Sequence, residues 1–444
     1  MELSARRIVW IMSVTIVIVT LLGVRRQAFA EVLHYRGGVS QADLSVPVGT
    51  VLGGYGTYAP PFTPRARRST GWLGPIKVTA FAVQGSGSEI TALVGIDAVG
   101  LRFSTVENIR RAVQSWNPQV RVIINASHSH STPDTFGLWG ELPNRSGVDP
   151  EYLKQLETKT IAVVREAVSG MRSVTLSWTS FPRSTLNLGD ESPNEVTVVW
   201  MRDAGSGTTL GSLTHWNAHP TVLPAENTFT SADFVAFYRH YLEQESSLGG
   251  VHTFVNGYLA GVYPVTEGVL ESPIEPSEGK LDPKVAKAVR QAAFLGESLA
   301  SDAIRTRPDA MEIVDTSSST QSYSAVVPVT NRLFRMLMLL GIIEDVAPKG
   351  ELQTPAQVFR LGPIEAVALP GEPSPAVARE YLDTMKSEGV PHPLVFGQSG
   401  GMIGYLLHEN TEFGEPQWNY QTTVSPSAQA ATALFKRFGE ILRP

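Results

Sequence analysis

No cysteine occurs among the 444 residues, which removes disulfides, thiolate zinc sites, iron–sulfur clusters and cysteine nucleophiles from consideration. Any metal must be held by histidine, carboxylate, tyrosine or backbone oxygen. An excess of basic charge is also lacking. The 36 Lys+Arg stand against 42 Asp+Glu, which excludes a nucleic-acid binder that works through a basic surface. Repeats and low-complexity tracts are absent, and 42% hydrophobic with 18% charged residues excludes a disordered tail. Beyond residue 30 no run is apolar and long enough to span a bilayer. Gly49-Thr50-Val51-Leu52-Gly53-Gly54-Tyr55-Gly56 is rich in glycine but lacks the GK[S/T] ending of a phosphate loop.

The first thirty residues read as an export signal. Arg6 and Arg7 precede the apolar run Ile8 to Val24, and Ala28-Phe29-Ala30 places small residues at −3 and −1 of a cleavage site. Arg25 and Arg26 leave a second reading open, an uncleaved N-terminal anchor. Residues 1–30 are thus expected to be a signal peptide or anchor. Residues 31–444 are expected to form the working domain outside the cytoplasm: secreted, periplasmic, or anchored and facing outward.

The rest alternates between strand and helix signals, which predicts an α/β fold, a single large mixed-sheet domain with flanking helices. Ile90–Leu101 and Val120–Ala126 are β-branched runs, and further strands are expected at Val174–Trp178, Glu195–Met201, Leu210–Asn217, Val251–Val255 and Glu365–Leu369. Ser104-Thr105-Val106-Glu107 reads as a capping box opening a helix toward Trp116. Asp149-Pro150 and Asp282-Pro283 each supply an N-cap followed by an N1 proline, and Gly170 closes the first of these helices as a left-handed cap.

Three strand-end turns carry the polar chemistry. His128 and His130 follow the Val120–Ala126 run, and on an extended backbone they share a face. The plain alternative is a solvated loop pair. In Thr214-His215-Trp216-Asn217-Ala218-His219-Pro220-Thr221, Pro220 argues against a helix, so only one of His215 and His219 is expected at a site. Glu372 in Leu369-Pro370-Gly371-Glu372 is either a helix-start residue satisfied by backbone N–H groups or a ligand. Two histidines and a glutamate are the ligand set of a catalytic zinc with an open position. Gly397-Gln398-Ser399-Gly400-Gly401 fits G-x-S-x-G, but His408 is the only later histidine, and no acid lies between it and Ser399. A serine triad is not expected.

These motifs, with Gly54-Tyr55-Gly56, Ser127-His128-Ser129-His130-Ser131, Ala218-His219-Pro220-Thr221, Ser231-Ala232-Asp233-Phe234 and Gly404-Tyr405, resemble in order the catalytic domain of the neutral/alkaline (non-lysosomal) ceramidases. The resemblance runs from Val46 to Gln421. It implies a ceramidase-like catalytic fold and one Zn2+ held by His128, His219, Glu372 and Tyr405. It further implies His130 as a catalytic residue on the substrate head group, Tyr405 as a second catalytic group, and Tyr420 as a substrate-binding residue. The ceramidase G-D-x-S-P motif is altered, because the matching stretch is Ala260-Gly261-Val262-Tyr263-Pro264, and Tyr263 is expected to face substrate where the family has its serine. The family's Asn-Arg pair reads Asn187-Leu188, and the β-sandwich of larger members is not expected within these 444 residues.

A retained metal set without the serine implies a zinc-activated water cleaving an N-acyl amide, of ceramide or a related lipid. Alternatives are a degenerate binding module of the same fold, or a zinc hydrolase of a different ester or N-acyl substrate. The apolar stretch Leu333 to Ile343, with Arg332 and Arg335, is either a buried helix or a surface for membrane contact. No nucleic-acid partner is expected.

Overall fold

Strands with continuous apolar sequence need both faces covered, and the arrangement of layers meets that need. The computed structural model describes residues 35–56, 63–141, 145–188, 194–246, 248–277, 279–342 and 350–442. The signal or anchor segment expected at 1–30 lies outside them. In chain order the main elements are β1 (Tyr35–Leu44), β2 (Ile76–Gln84), β3 (Ile90–Ile96), α1 (Phe103–Trp116), β4 (Val120–Ala126), α2 (Pro150–Ser169), β5 (Arg172–Pro182), β6 (Glu195–Asp203), β7 (Thr209–Trp216), α3 (Phe234–His240) and β8 (Val251–Asn256). There follow α4 (Pro283–Thr306), β9 (Ser318–Pro328), α5 (Arg332–Leu339), β10 (Glu351–Leu361), β11 (Ile364–Ala368), α6 (Pro375–Ser387), β12 (His392–Phe396) and α7 (Ala430–Leu442).

The larger sheet runs β8-β7-β6-β5-β1-β2-β3-β4, parallel at β7–β8 and β3–β4 and antiparallel between. The smaller sheet runs β9-β10-β11-β12, with β11 and β12 parallel. Alternation assigns each side chain to a layer. In β3, Ile90, Ala92, Val94 and Ile96 pack toward α1 and α2, whereas Leu93 points the other way with Phe81, Ile123 and Val255. That second face meets Phe359, Leu361, Leu394 and Phe396 of the smaller sheet. α3 and α4 cover the β6 side through Val196, Val198 and Trp200, and α6 and α7 cover the outer face of the smaller sheet. The result is helices, sheet, sheet, helices.

The larger sheet coils until β8 lies against β3 and β4. Gly95 permits this contact, because a Cβ there would sit 2.7 Å from the Phe254 carbonyl oxygen. Asn125 closes the seam, its Oδ1 accepting from the Asn256 N–H at 2.9 Å. The ends of β4, β7 and β8 thereby converge.

Local signals held where a cap was strong. Asp149 accepts from the Glu151 and Tyr152 N–H groups, and Asp282 from Lys284, each with proline at the first turn. The capping box did not form. α1 starts at Phe103, so the cap position falls on Arg102, two residues before Ser104, and arginine has no acceptor to offer the helix N–H groups. Gly170 does close α2, but with φ −84° rather than a left-handed value.

Candidate metal centre

His128 sits two residues past β4, yet not on extended backbone. Its φ is +61°, a left-handed value that costs a non-glycine residue roughly 1–2 kcal/mol. The turn is held by Ser127 and His128 N–H groups donating to the Ile96 and Ala98 carbonyls at 2.8 Å each. The two histidines therefore meet through this turn and not through strand alternation: His130 Nε2 lies 3.2 Å from His128 Nε2. Both are buried, which disposes of the solvated loop pair.

His219 follows β7 through a turn fixed by Asn217, whose Oδ1 accepts from Tyr258 N–H at 3.1 Å. His219 Nδ1 donates to the Leu259 carbonyl at 2.9 Å, and His128 Nδ1 donates to that of Val99. Both Nε2 atoms therefore carry lone pairs, and those lone pairs face the interior. His215 does not join them; its Nε2 bonds the Val395 carbonyl at 3.0 Å.

Glu372 leads into α6 but does not cap it, since Ser374 accepts the Val377 N–H. Its Oε2 lies 3.1 Å from His219 Nε2 and 3.3 Å from His128 Nε2, buried and without a hydrogen bond. One nitrogen each from His128, His130 and His219 also lie within 4.8 Å of one another. Lone pairs from two carbonyl-tethered imidazoles and an orphaned carboxylate oxygen converge where only a cation would relieve them, so the donors fit a zinc ion. Burial first, then His128 and His219, push His130 well below an ordinary histidine, so it is neutral at pH 7.

Tyr405 is paired with Glu372 in a short parallel bridge, which aligns the two side chains. Burial and the nearby carboxylate raise its hydroxyl well above the usual value, and burial raises that of Tyr420 to about 12. The Tyr405 and Tyr420 rings meet edge-on at 5.8 Å. Tyr263 stacks on His219 at 5.4 Å. The expected residues His128, His130, His219, Tyr263, Glu372, Tyr405 and Tyr420 are thus brought together.

Two residues at the site carried no signal of their own. Tyr55 meets the His130 ring edge-on at 4.7 Å, and Arg67 donates to the His130 carbonyl. Gly54-Tyr55-Gly56 was the available clue: a Cβ on Gly54, at φ +99°, would lie 2.3 Å from His130 Cγ. Ser399 is buried elsewhere, bonding Asn125 Nδ2 at 3.0 Å, and His408 bonds Thr411. No triad exists there.

Two cavities meet at the centre. One, narrow, is lined by Phe136, Leu138, Trp139, Phe334, Met402 and Val424 beside His128 and Glu372. The other, of about 1350 Å³ and open to solvent, passes Tyr55, Arg67, His219 and Tyr263.

Solved structures share this architecture. A neutral ceramidase from Pseudomonas aeruginosa matches 91% of this chain and 75% of its own, with TM-score 0.65 and 16% identity. A ceramidase complexed with C2 matches 90% of this chain and 74% of its own, with TM-score 0.68 and 15% identity. No protein-family model and no curated protein matches the sequence. The mixed α/β architecture of this chain is a ceramidase-like fold.

Proposed function

We propose that the protein is an exported zinc-dependent hydrolase of N-acyl amides, with a ceramide-like or related lipid amide as substrate. The observation that carries the reading is the orphaned Glu372 oxygen facing two Nε2 lone pairs, in a fold shared with solved ceramidases. His128, His219 and Glu372 would hold the metal, with the Tyr405 hydroxyl beside them. Bound there, zinc would polarise the acyl carbonyl and bring the pKa of the attacking water to about 7.

The chain's own groups supply the rest. The Tyr405 hydroxyl keeps its proton, so it can donate to charge growing on the acyl oxygen. His130, whose Nε2 lies 3.2 Å from that of His128, would pass a proton from the water to the leaving amine. The apolar lining beside the centre suits the acyl side of the substrate, and the open cavity suits the amine-bearing part. Water is the nucleophile in this reading because Tyr263 stands where a serine would. Gly261 also has its own structural reason: at φ +70°, a Cβ would press on Leu188 at 2.8 Å.

A lipid substrate is supported by α5. Phe334 reaches the apolar cavity, whereas Met336, Leu339 and Leu340 are exposed, so the helix is half-buried and offers an apolar edge to a membrane surface. No helix among the described residues is long and apolar enough to cross a membrane. Hydrolysis of N-acyl sphingoid and simpler N-acyl amides, measured before chelation, after it and after zinc is restored, tests the proposal. Activity that chelation leaves intact would refute it.

A further inference from the structure

The second cavity has a charge the proposed reaction does not use. Arg67 lies largely inside the protein, where its Nη1 donates to the Asn227 carbonyl at 3.0 Å and its Nη2 to those of Gly53, at 2.6 Å, and His130. All three acceptors are neutral. Its Nε is buried with no partner, and the guanidinium carbon stands 5.0 Å from the Tyr55 ring centroid. The buried Arg239 guanidinium, by contrast, is balanced by Asp97. Among the described residues no carboxylate pairs with Arg67. Arg65 lines the same cavity, and its described lining contains no Asp or Glu. Desolvation lowers Arg67 only to about 10, so it remains charged at neutral pH.

A desolvated cation facing only neutral dipoles is costly, and an anion entering the cavity offsets that cost. The cavity shares His130, Tyr405 and Tyr420 with the apolar one, so the anion would sit on the far side of the scissile bond from the acyl chain. Resting on the hydrolase reading above, we infer that the amine side of the substrate carries a carboxylate, making the substrate class N-acyl amino acids rather than neutral N-acyl amino alcohols. Water adds to the acyl carbon, the C–N bond breaks, and the nitrogen takes up the proton. A fatty acid and a free amino acid leave.

The test uses the full zinc-loaded chain and two uncleavable analogues with CH2 in place of the amide NH, one of dodecanoylglycine and one of dodecanoylethanolamine. Titration calorimetry should show the carboxylate analogue binding at least about tenfold more tightly, the scale of a hydrogen bond to a charged group. Arg65→Gln with Arg67→Gln should bring the ratio near one, while Arg67→Lys, which keeps the charge, should preserve most of it. Equal affinities in the wild type, or a preference that survives the double glutamine variant, would overturn the inference. Hydrolysis separates the two readings. Faster cleavage of dodecanoylethanolamine than of dodecanoylglycine would sink the carboxylate assignment and leave the hydrolase standing. Arg-dependent binding without cleavage of either amide would do the reverse.

Discussion

Replacing Gly54 by alanine puts a methyl group into the back of His130. The new Cβ would lie 2.3, 2.4 and 2.6 Å from His130 Cγ, Cβ and Cα, at a backbone φ of +99°. The conformation alone costs roughly 1–2 kcal/mol, and forcing a methyl group into a packed site adds roughly 1–3 kcal/mol. The two components can be separated. Gly207 has φ +72°, and a Cβ there would have nothing within 4 Å, so Gly207→Ala reports the backbone cost by itself. Unfolding entropy of about 2.1 cal/mol/K per residue over roughly 400 residues gives about 0.85 kcal/mol per degree. Gly54→Ala should therefore lower the melting temperature by roughly 2–6 °C, and Gly207→Ala by roughly 1–2 °C. Because the displaced ring is His130, Gly54→Ala should also lose hydrolysis by at least about tenfold, whereas Gly207→Ala should not. Melting curves and initial rates on the same preparations settle it. Equal melting temperatures and full activity in Gly54→Ala would refute the placement of His130.

The other predictions are shorter. Burial lowers His215 and His252 to about 4, so below the unfolded value of about 6.5 the unfolded chain binds more protons than the folded one. Stability is therefore intact above pH 6.5 and is lost as pH falls toward 4, by up to about 1.4 kcal/mol per pH unit for each group. Urea midpoints from pH 7 to 5 should show a smaller loss for His215→Gln than for wild type; identical slopes would exclude the effect. Asp233, which burial raises to about 6, works in the opposite direction and offsets part of this slope. Ser399→Ala should leave hydrolysis within about twofold and cost about 1 kcal/mol, the scale of its bond to Asn125. Tyr405→Phe should fold normally, yet lose roughly a hundredfold in kcat; a loss confined to KM would remove its role as donor.

Local chemistry made much of the fold legible. Asp149-Pro150 and Asp282-Pro283 satisfy their own helix N-termini, so neither needs tertiary help. The doubly buried strands are continuous apolar runs because layers cover both faces. His128, His219 and Glu372 could each be found because each ends a strand at a sharp turn. Other features depend on distant partners. The left-handed turn at His128 is held by the Ile96 and Ala98 carbonyls at and just past the end of the neighbouring strand, which no spacing rule encodes. Arg67 gains its meaning from the carbonyls of Gly53, His130 and Asn227, scattered through the chain.

Metal content tests the central claim most directly. The wild-type chain, His128→Ala/His219→Ala and Glu372→Gln should be exchanged into metal-free buffer, loaded with one equivalent of zinc, passed through a desalting column and analysed by mass spectrometry for metal per chain. The geometry predicts about one zinc per wild-type chain, almost none in the double histidine variant and at least about tenfold weaker retention in Glu372→Gln. Wild-type protein that retains no zinc, or a double variant that retains as much as wild type, would contradict the assignment of the centre.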